Sequence, residues 1–171
     1  MKKIFIVLLM CVSVSSFASN MSNIGNVKYG FQDNYTIAVR ANETTVSIET
    51  DKNHIVLDYN ERTRFLSIID AHIKLYDKAN EVKIDYVRNT GQIISKNIKI
   101  MFSFYYDKDT EKSAMRMNVS YMSGVNIEII DLDKERLLEL KRIIEESVTD
   151  RDKLASNIKE LNSIVDEIKG L

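Results

Sequence analysis

Apolar and polar residues alternate over YTIAVR, Tyr35 to Arg40, and TVSIET, Thr45 to Thr50, with turn-like Ala41, Asn42 and Glu43 between them. A period of two places every second side chain on one face of a strand, so the two segments predict a hairpin. HIVLDY, His54 to Tyr59, follows across Asp51, Lys52 and Asn53 and is expected to pair beside it. From Asn60 the period becomes helical. Phe65, Ile68, Ile69, Ile73, Leu75, Tyr76 and Ala79 share one side of a helical wheel, and Thr63, Ser67, Asp70, Lys74, Asp77 and Lys78 the other. An amphipathic helix over about 60–80 is predicted, with Asn60 as its N-cap and Asp70 and Lys74 as a four-apart pair.

Strand character then returns in VKIDYV (Val82 to Val87), IIS and NIKIMFSFYY (Ile93 to Tyr106), AMRMNVSYM (Ala114 to Met122) and VNIEII (Val125 to Ile130). Asn89, Thr90 and Gly91 read as a turn, Asp107 to Lys112 as a polar loop, and Ser123 with Gly124 as a tight hairpin. Connections this short join only antiparallel neighbours. Ile98, Ile100, Phe102, Phe104 and Tyr106 face one way, answered by Met115, Met117, Val119 and Tyr121. Lys99, Ser103, Arg116, Asn118 and Ser120 fall on the other face, which is expected to be partly wet.

The chain ends in helical pattern. Asp131 or Asp133 caps a segment carrying Leu137, Leu140, Ile144 and Val148, and a further stripe follows at Leu154, Ile158, Leu161, Val165 and Ile168. The three-four spacing is interrupted only by Ser147 and Arg151. Two arrangements fit: one long helix, or two short helices breaking at SVTDRD, where capping-box spacing recurs. The predicted fold class is α+β: an antiparallel meander sheet with one amphipathic helix on a face and one long or two short C-terminal helices. LDYNERTRFLSIID and IDLDKERLLELKRIIE both run strand, acidic cap, helix, as a duplication would and as two ordinary strand-to-helix junctions also would.

The first twenty residues, MKKIFIVLLMCVSVSSFASN, change the picture. Two lysines precede an apolar run of about 11 residues, against the roughly 20 that span a bilayer. Small residues at Ser16 and Ala18 complete the layout of a secretory signal. Cleavage after Ala18 is expected, leaving a protein that is periplasmic or secreted and has no transmembrane anchor. Met10 before Cys11 argues against lipid attachment there. The domain reading is therefore 1–18 signal, 19–33 flexible leader, 34–148 α+β domain and 149–171 C-terminal amphipathic helix. Loss of Lys2 and Lys3 leaves 22 of 24 basic residues against 25 acidic, so a formal charge of −1 becomes −3. That balance gives no basic face for nucleic acid. The single cysteine lies in the signal, so the exported chain forms no disulfide of its own. Abundant Lys, Ile and Asn, with no Pro or Trp, give the composition a bacterial cast.

Candidate chemistry is sparse. No glycine-rich phosphate loop, nucleophile elbow or zinc-binding histidine pair is present, and no cofactor is expected. His72 falls on the apolar face of the first helix, where a hydrogen-bonded core imidazole is the plain reading. His54 lies near Asp51, Asp58 and Glu61, a set with no metal-ligand spacing. DKDTE (Asp107, Asp109, Glu111) and DLDKE (Asp131, Asp133, Glu135) start like calcium loops but lack the later glycine and glutamate, and read as a solvated turn and a helix cap. IKIMFSFYY is apolar even on its second face, through Met101 and Tyr105, and is expected to be covered, to line a pocket or to meet a partner. The functional expectation is a non-enzymatic binding or structural module. Its C-terminal helix (Leu154, Ile158, Leu161, Val165, Ile168) or its sheet face would hold a protein partner or a second copy. The alternatives are a carrier with an apolar pocket lined by the central strands, and an enzyme using His54 or His72.

Overall fold

The computed structural model describes residues 21–42, 45–124 and 127–147. The fold is α+β, and its strands pair antiparallel in chain order. They form two four-stranded sheets, each a meander. The first contains β1 (Ser22–Tyr29), β2 (Tyr35–Ala41), β3 (Val46–Glu49) and β4 (His54–Leu57), followed by α1 (Tyr59–Val82). The second contains β5 (Tyr86–Ser95), β6 (Ile98–Asp107), β7 (Lys112–Tyr121) and β8 (Glu128–Leu132), followed by a helix, α2, over 134–147.

The stretch read as a flexible leader is largely β1. Val27 and Tyr29 are buried, and β1 pairs along its length with β2, so its polar residues are the outward half of a strand. The helix cap also differs from the expectation. Asp58, not Asn60, is the N-cap: its carboxylate accepts the Glu61 N–H at 2.8 Å while Glu61 accepts the Asp58 N–H at 2.9 Å. This reciprocal box needs a carboxylate three residues on, which Asp58 has in Glu61. At the other end VKIDYV is not one strand. Val82 closes the helix, Lys83 turns left-handed with its N–H on Ala79 O, and β5 begins only at Tyr86.

Asn89, Thr90 and Gly91 make a β-bulge inside β5 instead of a turn. An identical irregularity occurs in β1 between Asn23 and Gly25. The pairing registers then align the two halves of the described chain with each other. Gly25 pairs with Val39 as Gly91 pairs with Phe102, Ile48 with Ile55 as Met117 with Ile130, and Val46 with Leu57 as Met115 with Leu132. One residue further, Asp58 caps α1 and Asp133 takes the Arg136 N–H at 2.9 Å. The molecule is thus two ββββα units of the same order, and the two similar sequence stretches are their strand-to-helix junctions.

The helices are exchanged between the units. α1 follows the first sheet but lies on the second, with Phe65 against Phe102 (ring centroids 5.6 Å) and Tyr76 edge-on to Phe104 (4.9 Å). On the first sheet, Ile143 of α2 sits directly over Gly25. The helices run antiparallel, since Lys134 reaches Asp77 while Lys141 reaches Asp70. Both inner sheet faces and both helix stripes join in one core. Burying each large apolar side chain contributes roughly 1.5–3 kcal/mol, and the exchange makes each unit dependent on the other for that burial. Among the described residues no helix is long and apolar enough to cross a membrane.

Candidate binding surface

With both inner faces consumed by the core, the outer faces remain. On the first sheet the register lays Asn26, Ala38, Glu49 and His54 in a row. Glu49 accepts from Arg40 at 3.0 Å and lies 3.2 Å from His54 Nδ1. This face is polar and internally paired.

The equivalent row on the second sheet is Gln92, Met101, Asn118 and Ile129. Beside it run Ile94 with Lys99 and Ser120, Asn89 with Ser103, Arg116 and Asp131, and Val87 with Tyr105 and Ala114. Val87 is 81% exposed, Ile129 56%, Ile94 48% and Met101 40%, so described residues leave the second face of the central strand open. Arg116 gives two parallel hydrogen bonds of 2.7 Å to Asp131 and lies 5.3 Å over the Tyr105 ring. Burial and then the nearby Asp131 carboxylate raise the Tyr105 phenol above its usual range. The guanidinium is therefore neutralised and fixed in place. In these rows Lys99 is the other cation.

One depression borders this face, and a second lies on the sheet's other side, where α1 ends. A cleft of about 490 Å³ lies where β5 starts, between Asp85, Tyr86 and Val87 on one side and Ser103, Tyr105 and Arg116 on the other. An apolar groove of about 290 Å³ runs along the end of α1, with Leu75, Ala79, Val82, Ile84 and Tyr86 around Phe104.

The other residues singled out from sequence disperse. His72 is buried, 2.7 Å from Ile68 O through Nδ1 and 2.9 Å from Thr90 Oγ1 through Nε2. A carbonyl can only accept, so Nδ1 carries the proton and Nε2 accepts from Thr90. Burial lowers the imidazole's pKa, more than the Ile68 hydrogen bond raises it, and both nitrogens are committed to the fold. His54 is exposed on the polar face, while Asp58 and Glu61 are engaged with each other. No group of three or more His, Cys, Asp or Glu suited to a metal occurs among the described residues. In DKDTE, Asp107 closes its own turn by accepting from the N–H groups of Asp109 and Thr110, and Glu111 pairs with Lys83 at 2.6 Å. Asp131 holds Arg116 and Asp133 caps α2, so neither acidic triplet converges.

Leu137, Leu140 and Ile144 are buried in the core, so the first part of the C-terminal seam folds back on its own domain. Leu154, Ile158, Leu161, Val165 and Ile168 lie outside the described residues, as does the choice between one helix and two. Sequence reasoning missed Glu128, a buried carboxylate within the apolar run VNIEII. The signal was present, because a lone acid on the inward phase of a strand requires buried donors.

Neither the family models nor the curated proteins contain a match to this chain. Among solved structures, similarity is found to a chain described as "Crystal structures of trypanosoma bruciei MRP1/MRP2", at 11% identity and a TM-score of 0.47, covering 85% of this chain and 96% of that one.

Proposed function

We propose that this protein is an exported, non-enzymatic binding module that holds a protein partner on the outer face of its second sheet. The observation that carries the reading is the contrast between two faces built to one plan. Where the first sheet presents Asn26, Lys28, Glu49 and His54, the second presents Gln92, Ile94, Asn118 and Ile129, and Met101 replaces Ala38 between them. A solvated face gains nothing from exposed Val87, Ile94, Met101 and Ile129, whereas an interface gains their burial. Export is supported by the lysine-led apolar start and the small residues at Ser16 and Ala18.

Photo-crosslinking in the producing cell tests this. A benzophenone side chain at position 92 should give a discrete protein adduct, and the same group at position 26, its counterpart on the polar face, should not. No adduct at 92, or equal adducts at both, would count against the surface. A second reading, a carrier for an apolar ligand, draws on the groove over Phe104. Native mass spectrometry of gently isolated protein showing a bound lipid that Ala79→Trp displaces would favour it.

A further inference from the structure

The edge strands β1 and β8 meet where the two sheets join, and Glu128 is enclosed there with 6% exposure. Its Oε1 accepts the Tyr29 hydroxyl at 2.9 Å. Its Oε2 accepts Thr50 Oγ1, and Asn53 Nδ2 at 2.6 Å. A carboxylate offers about four acceptor sites, of which the described residues fill three, one of them on Oε1. Asn53, itself 4% exposed, leaves Oδ1 buried without a donor among the described residues. The partners of Glu128 among the described residues are all neutral, although an enclosed carboxylate normally gains a cation. The cluster is short of hydrogen-bond donors and of positive charge together.

Glu128 forms part of the wall of a cleft of about 410 Å³. Tyr35, 46% exposed, stands beside Tyr29 with ring centroids 5.4 Å apart. Asp51 adds negative charge, Asp131 is already held by Arg116, and Lys52 also lines the cleft. Ile129 lines the cleft and also ends the Gln92–Met101–Asn118 row, so the cleft continues the open face.

We propose that this cleft binds an organic cation, the ammonium or guanidinium of a Lys or Arg side chain presented by the protein partner. The cation would donate to Glu128 Oε1 and lie against Tyr35, where ring and carboxylate both favour positive charge. The cation preference stands on the cleft alone; its source in a partner rests on the docking surface proposed above.

The test uses the mature chain with n-butylguanidinium and n-butylammonium as probes, followed by NMR titration. Saturable millimolar binding is expected, with shifts centred on Tyr35, Thr50, Asn53 and Ile129. Tyr35→Leu should weaken it about five-fold, the scale of one cation–ring contact. Glu128→Gln should abolish it, with thermal unfolding confirming that the variant is folded; if it is not, Tyr35→Leu alone decides. Absence of saturable binding, or affinity unchanged in Tyr35→Leu and in a folded Glu128→Gln, overturns the site. Met101→Asp should leave probe binding intact while removing the crosslink at position 92, which separates failure of the cleft from failure of the face. Excess n-butylguanidinium should reduce that crosslink. A crosslink indifferent to the probe would overturn the partner-borne source.

Discussion

The Tyr76 hydroxyl accepts the Met115 N–H at 2.6 Å and donates to the Leu132 carbonyl. Met115 and Leu132 are the outermost pair of the β7–β8 ladder, so a helix side chain closes the end of a sheet. Burial pushes this phenol well above the usual tyrosine range, and it stays a donor throughout ordinary pH. Tyr76→Phe keeps the edge-on contact with Phe104 but strands a buried N–H and a buried C=O. We expect a loss of about 2–4 kcal/mol in urea unfolding, with the fold retained.

His72 gives the stability a definite pH dependence. Its folded pKa is lowered from 6.5, chiefly by burial, so the unfolded chain binds the proton more readily. Stability from this group is complete above about 6.5 and falls as the pH drops through the window between 6.5 and the depressed folded value. The slope cannot exceed about 1.4 kcal/mol per pH unit for one proton. Urea midpoints measured between pH 8 and 5 should decline more steeply in the native protein than in His72→Gln. Equal slopes would remove His72 as the titrating group.

Much of the core was readable because alternation reports which side chains share a face. Ile98 to Tyr106 and Met115 to Val119 are buried on the expected side. The division into two sheets was not readable, since a period of two is silent about which strands are neighbours. Asn89-Thr90-Gly91 has turn chemistry, but the same residues suit a bulge, and only His72 on another element explains why Thr90 points inward. β1 reads as a leader in sequence because its inward positions ahead of Val27 are the bulge itself, which breaks the alternation. The open face of β6 followed the same limit: the pattern marks Met101 and Tyr105 as apolar without saying what lies over them. Glu128 was legible only as an oddity, because its partners Tyr29, Thr50 and Asn53 come from another unit of the chain.

The two caps differ in a way that mutation should resolve. Asp58 and Glu61 satisfy each other's N–H groups, and Glu61 also accepts Ser95 Oγ at 3.0 Å, tying the start of α1 to β5. Asp133 has Arg136 at the matching position, whose guanidinium reaches both Asp133 and Asp33. Asp58→Ala should cost about 1–2 kcal/mol, including the loss of the box. In a double-mutant cycle, Asp58→Ala with Glu61→Ala should couple, whereas Asp58→Ala with Asp133→Ala should be additive within about 0.5 kcal/mol.

The bulge glycines provide the sharpest comparison, because they occupy equivalent places under equivalent isoleucines. A Cβ at Gly91 would stand 3.5 Å from Ile68 Cδ1, an ordinary contact. At Gly25 it would stand 2.9 Å from Ile143 Cδ1 and 3.0 and 3.1 Å from that side chain's other carbons. Ile143 is β-branched on a helix and has one strongly preferred rotamer, so it yields only by moving α2 off the first sheet. Gly25→Ala should therefore destabilise by about 1–3 kcal/mol, the range for overpacking, while Gly91→Ala should fall within about 0.5 kcal/mol of the native protein. Gly25→Ala combined with Ile143→Val relieves the crowding at the Cδ1 methyl and should recover part of the loss. Urea unfolding of the three variants decides it: if Gly25→Ala and Gly91→Ala prove equally benign, α2 presses on β1 no more closely than α1 approaches β5.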